Sequence, residues 1–123
     1  MPLVTIKYDS NIVSKKILKY LTKILPDIVA RALHVKERTD GYLTPEDIEV
    51  EVKKHGKFDV NTLALQITIV ANDYPQRKKN LEDRTTSIIN DLLRHPIIKD
   101  NSFISKKQAF VWVLLCPGGF KML

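Results

Sequence analysis

Among the side chains able to do chemistry, Pro2 stands out by position. It follows the initiator methionine and opens a short apolar segment, Leu3 to Tyr8. Methionine ahead of a small residue such as proline is normally trimmed, which would leave Pro2 with a free secondary amine. An unperturbed α-amino group titrates at about 7.7–8.0. Apolar surroundings or nearby cations lower that value towards neutrality, where a general base works well. The structural alternative is that proline simply suits the first position of a strand.

Other reactive types are sparse. Cys116 is the only cysteine, so neither an intrachain disulfide nor a cysteine-based zinc site can form. With no basic neighbour in sequence, Cys116 reads as buried and inert. His34, His55 and His95 lack metal-ligand spacing, and His55 and His95 read as surface loop residues. No metal and no cofactor is expected.

The elements that must position Pro2 follow from the hydropathy pattern. Residues 2–8 alternate as a strand, with Val4, Ile6 and Tyr8 on one side. Asp9, Ser10 and Asn11 supply capping chemistry for a helix over 12–35, where apolar residues recur three or four apart. Pro26 should kink or restart that helix. Residues 36–47 form a polar connection, and 48–52 alternate as a half-buried strand. A loose turn with Gly56 leads to a central strand over 62–71. Asp73 and Pro75 signal a helix start, giving a second helix over 76–94 that Pro96 ends. Residues 95–105 read as irregular, 108–115 as a buried last strand, and 120–123 as a short tail. The order is βα–ββα–β, two βαβ-like halves in one domain spanning 1–123, with repetition of pattern and not of residues.

Length and charge bound the partners. A chain of 123 residues is one ordinary domain. No apolar run reaches the roughly 18 residues of a membrane span, and no signal-peptide core precedes Lys7. With a single free thiol, these features suit a cytoplasmic protein. The net charge of +6 is unevenly spread: +4 over residues 1–40, −3 over 41–75 and +5 over 76–123. Lys15, Lys16, Lys19 and Lys23, like Arg77 to Lys79, read as solvated helix exteriors.

Proline in this place, the β-α-β-β-α-β order and the length together resemble the tautomerase superfamily, most of all its 5-carboxymethyl-2-hydroxymuconate isomerase and macrophage migration inhibitory factor branch. A phrase like Lys23-Ile-Leu-Pro26 also lies late in the first helix of the isomerase branch. The resemblance covers the whole chain as a pattern, with Pro2 as its one specific match. It implies an α+β fold of two βαβ units, a four-stranded mixed sheet with both helices on one face, assembled as a homotrimer. It also implies an isomerase in which the proline amine moves a proton between positions of a small enol or dienol, while arginines hold substrate carboxylates.

The sequence departs from that pattern at the second strand. Glu49 and Glu51 stand where the family's arginine would grip a carboxylate. At 4 Å and an effective dielectric constant near 20, each such interaction is on the order of 4 kcal/mol. A dicarboxylate bound in the usual way is therefore not expected. Lys36 and Arg38 are the substitutes singled out as substrate-binding residues, with Lys7, Lys53 and Lys54 as further basic candidates. Phe58 resembles the aromatic that closes the tautomerase pocket; otherwise it anchors a loop. A tautomerase fold with a binding role and no such activity is the alternative. A ferredoxin-like RNA-binding module shares the element order, but 62–71 contains no aromatic for base stacking, which argues against nucleic acid. Phe110 and Trp112 read as core or subunit-interface residues.

Overall fold

The computed structural model describes residues 2–119 with Lys121 and Leu123, and Asp40 by its backbone alone. Four strands, β1 (Leu3–Tyr8), β2 (Glu49–Lys54), β3 (Leu65–Asn72) and β4 (Ala109–Cys116), form one sheet in the order β2-β1-β3-β4. β1 pairs parallel with β2 and antiparallel with β3, and β3 pairs parallel with β4. Each parallel pair is bridged by a helical crossover. The chain is thus two βαβ units joined side by side through β1 and β3, the α+β architecture expected from the element order.

Side-chain alternation divides the sheet into two unlike faces. Val4, Ile6, Ile67, Ile69 and Val113 point into the core, together with the apolar stripe of α1 (Lys15–Leu33). The same core takes Ile88 and Leu92 of α3 (Leu81–Leu93). On the other face the register aligns Glu51, Thr5, Thr68 and Trp112 in one row and Lys53, Lys7, Gln66 and Phe110 in the next. Trp112 is 57% exposed there and lies outside the core of its own chain. The central strands of this open face carry no aromatic side chain, so a base-stacking platform is absent from the positions where it would be needed.

Several local outcomes differ from the pattern reading. α1 is capped by Ser14, whose hydroxyl accepts from the Ile17 N–H at 3.3 Å, while Asp9 accepts from the Asn11 N–H in a turn ahead of the helix. α1 runs through Pro26 without ending; nine buried residues, Leu25 and Ile28 among them, hold it against the sheet. β2 is an edge strand, mostly exposed and not half-buried. The second helix is split into α2 (Pro75–Lys78) and α3 at Asn80, whose φ of −133° leaves the helical region. Asp73 caps nothing; its carboxylate pairs with Lys78 at 3.3 Å. The stretch expected to be irregular contains two single-turn helices, α4 (Pro96–Lys99) and α5 (Ser102–Ser105).

Candidate functional site

Strand direction gathers the chemistry at one end of the sheet. β1 and β2 begin there, and β3 and β4 finish there. Pro2 is buried at this end, and its carbonyl accepts from the Glu49 N–H at 3.1 Å. Beyond Asn72, the chain turns through Tyr74 into α2. Pro75 opens that helix with its fixed φ, which brings Arg77 around to face the protein.

Arg77 is the only buried charged residue among those described, at 2% exposure. Its Nε donates to the Leu33 carbonyl at 2.9 Å and its Nη1 to the Asn72 carbonyl at 3.1 Å. One guanidinium thus ties the C-terminus of α1 to the end of β3. Arg84 continues the same cap, donating through Nη1 to the carbonyls of Ala32 and His34, each at 3.0 Å. Burial lowers the pKa of Arg84 from its ordinary value, and nearby Glu37 partly offsets this. Two cations at a helix C-terminus also suit the negative end of its dipole.

The loop after α1 places a further cation beside Tyr74. The guanidinium carbons of Arg38 and Arg77 lie 4.4 and 4.7 Å from the Tyr74 ring centroid. Both are within cation–π range. The loop is pinned by the Val35 N–H donating to the Gly41 carbonyl at 2.9 Å and by the Leu43 N–H donating to Nδ1 of His34 at 2.9 Å. Gly41 is required by the closeness of this turn: a Cβ there would sit 2.7 Å from Cβ of Val35.

The sequence-based candidates are therefore distributed unequally. Pro2 and Glu49 meet where β1 and β2 begin, Arg38 lies against Tyr74 just beyond the end of β3, and Lys36 lies on the exposed turn between α1 and Arg38. Glu51 sits one turn of the pleat further along β2 on the open face. Phe58 is 85% exposed in the loop beyond the opposite end of β2, with Lys57 Nζ 5.2 Å from its ring centroid. That end is separated from Pro2 by the length of β1, about 17 Å at 3.3 Å per residue. Met1 and the tail residues Phe120 and Met122 lie outside the described residues.

Three readings are corrected. Arg77 is not on a helix exterior, because α2 is a single turn folded back onto the end of α1. Cys116 is exposed, since β4 ends there at the rim of the sheet. His55 and His95 are partly buried and bonded: His55 Nε2 to the Leu63 carbonyl at 2.9 Å, His95 Nδ1 to the Tyr20 hydroxyl at 2.6 Å. Sequence reasoning did not place Tyr74 and Arg77 at this end of the sheet. Their signal was topological: a strand antiparallel to β1 must deliver whatever follows it to the Pro2 end.

Among the described residues no cluster of His, Cys, Asp and Glu could hold a metal ion, and no helix is long and apolar enough to cross a membrane. Neither a family model nor a curated protein matches the sequence. Solved structures match its fold. Native Ps01740 superposes with a TM-score of 0.59 at 13% identity, covering 98% of this chain and 99% of that one. N1, of the cis-3-chloroacrylic acid dehalogenase family, gives 0.56 at 9% identity over 94% and 76%. The fused 4-OT F6, an asymmetric trimer, gives 0.54 at 10% identity over 94% and 86%. The latter two are tautomerase-superfamily proteins, and the chain has the α+β tautomerase fold.

Proposed function

We propose that this protein is a cofactor-independent keto–enol tautomerase whose general base is the Pro2 amine, freed by removal of Met1. The observation that carries the reading is the burial of Pro2 at the start of β1, at the sheet end that also holds Arg38 and Arg77. Burial disfavours the charged ammonium, and guanidinium charge at the same end of the sheet acts in the same direction. That amine takes the proton from the enol oxygen; as the C=O bond forms, the resulting ammonium returns a proton to the far carbon of the former C=C bond. The net change is an isomerisation that needs no oxidant, metal or leaving group.

The substrate class follows from the charges. Arg38, with Lys36 beside it, holds one carboxylate. Glu49 repels a second one, so the preferred substrate is a small monocarboxylic enol. The working form is a ring of three copies that covers the open sheet face, and Phe58 reaches the site of a neighbouring copy, being too distant from its own. A single free thiol suits the cytoplasm. Phenylenolpyruvate added to the purified protein, with ketonisation followed optically, tests the activity, and an intact mass tests the base. A protein that keeps Met1 has an amide at Pro2 and no base there.

Glu49 favours one second reading, a binding protein on the same fold. A carboxylate close to the Pro2 nitrogen stabilises the ammonium and opposes its use as a base. Titration of the N-terminal amine separates the two: a value at or above the ordinary α-amino range goes with binding, a value below it with catalysis.

A further inference from the structure

The opposite end of the molecule holds a concavity on the helix side of the sheet. It encloses about 270 Å³ and is walled by Leu21 of α1, Ile67 of β3, Ile89 and Leu92 of α3 and Ile98 of α4. It lies where β3 and β4 begin, at Leu65 and Ala109, whereas Pro2 lies beyond Val70 of β3. Six residues of strand separate the two places, about 20 Å. The reaction proposed above makes no use of this space.

Its lining is one-sided in chemistry. Among the described residues, Lys107 is the only charged one that lines it. The segment 96–108, which carries α4 and α5 over this end, has three lysines, at 99, 106 and 107, against the single carboxylate of Asp100. Lys107 is held in place by its backbone. It follows α5 with φ of 56°, a left-handed conformation that usually goes to glycine or asparagine, and its N–H donates to the Ile104 carbonyl at 3.0 Å. An apolar cleft with a cation at its rim complements an apolar body with an anionic head.

Volume sets the size of that body. An apolar cavity of about 150 Å³ accepts benzene, with six carbons, so 270 Å³ accommodates on the order of ten. We propose that this cleft binds a free medium-chain alkyl carboxylate, its chain between α1, α3 and the sheet and its carboxylate against Lys107. The site is independent of the Pro2 chemistry and does not rest on it.

Decanoate and 1-decanol, each below its aggregation concentration, are the probes, read by titration calorimetry and by the shift in melting temperature. Decanoate is expected to bind once per chain and to raise the melting temperature. Lys107→Gln should weaken decanoate by up to about fivefold, the range of an exposed ion pair, and leave decanol unchanged. Ala109→Phe, which fills the cleft from β4, should abolish binding of both while the unliganded protein still melts cooperatively. Should that variant not fold, Leu93→Phe fills the cleft from α3 instead. The proposal is overturned by absence of saturable decanoate binding, by full binding to a folded filled variant, by equal losses for decanoate and decanol in Lys107→Gln, or by association with vesicles alone. A filled variant that changes only the oligomeric state would assign the cleft to a second copy of the chain and overturn it equally.

Discussion

Arg77 and Leu33 are 44 positions apart, yet the Arg77 Nε donates to the Leu33 carbonyl at 2.9 Å in a nearly dry environment. The same guanidinium reaches the Asn72 carbonyl, so the end of the first crossover helix and the end of the third strand are fixed by one side chain. Arg38, carried by the loop that leaves α1, then meets the same Tyr74 ring as Arg77. The cation beside the candidate site is therefore positioned by a structural cap, and disturbing the cap should disturb both stability and site.

Arg77→Met is expected to destabilise the fold by about 2–4 kcal/mol, because two carbonyls lose a charge-assisted donor inside the protein. Arg77→Lys should recover only part of this, since a single ammonium cannot reproduce the planar donor pair. Urea unfolding followed by far-UV circular dichroism measures both. Equal midpoints for the lysine variant and the parent would show that the planar geometry is not needed.

Gly41→Ala offers a contrasting test, of space and not of charge. The added methyl would press on Val35, whose N–H already bonds to the Gly41 carbonyl. The turn must open, at about 1–3 kcal/mol. In a thermal melt this appears as a lower midpoint. In an activity assay it appears as a raised KM for the carboxylate substrate, because Arg38 shifts with its loop.

Pro26→Ala should stabilise α1. The helix passes through Pro26, which lacks the N–H that a continuous helix would use, and no substitution of the sheet-facing residues is involved. A gain of about 1–2 kcal/mol in chemical denaturation is expected, given the roughly 3 kcal/mol propensity cost of proline in a helix interior.

What the pattern of residues made legible was the part governed by periodicity. The strands, their order of appearance, the long helix and the two-halved layout all follow from alternation and from apolar spacing of three to four. What it hid was set by contacts remote in sequence. The burial of Arg77 depends on α1 ending beside Asn72, and the exposure of Cys116 on β4 stopping at the rim. The continuity of α1 through Pro26 depends on packing against the sheet, which outweighs local propensity. At the candidate site's end of the sheet, residue type and spacing single out Pro2, Arg38 and Glu49, whereas the placement of Tyr74 and Arg77 there required the antiparallel pairing of β1 with β3.

Pro2→Ala tests the proposed base. Loss of the positioned secondary amine should lower kcat/KM for phenylenolpyruvate by about 10²-fold, at the low end for general base catalysis because a primary amine remains. Melting temperature serves as the control for folding. An unchanged rate would remove Pro2 from the mechanism.

Glu49→Gln tests the charge beside that base. In the proposed mechanism a carboxylate close to the amine favours its protonated form, and the neutral amide removes that effect. Catalysis requires the unprotonated amine, so the rising limb of kcat/KM against pH should move to lower pH. For an exposed carboxylate the displacement is about 0.5 pH unit. A limb that moves upward, or a variant with no change in either pH profile or KM, would place Glu49 away from the reacting centre.

Trp112→Glu tests the proposed ring of three. Trp112 is 57% exposed on the open face, in register with Thr68 and one row from the Leu3–Glu49 pair at the end of the sheet. Because it lies outside the core of its own chain, its replacement should leave the secondary structure intact. Covered by neighbouring copies, however, a glutamate there would have to be desolvated without a designed partner, and the tryptophan's large apolar contact would be lost. Sedimentation equilibrium should therefore find three copies for the parent and one for the variant at micromolar concentration. Phe58 would then have no neighbouring site to reach, so the variant should also lose activity while Pro2 and Arg38 remain in place. A variant that stays trimeric would remove the open face as the assembly surface, and a monomer with full activity would remove Phe58 from the site.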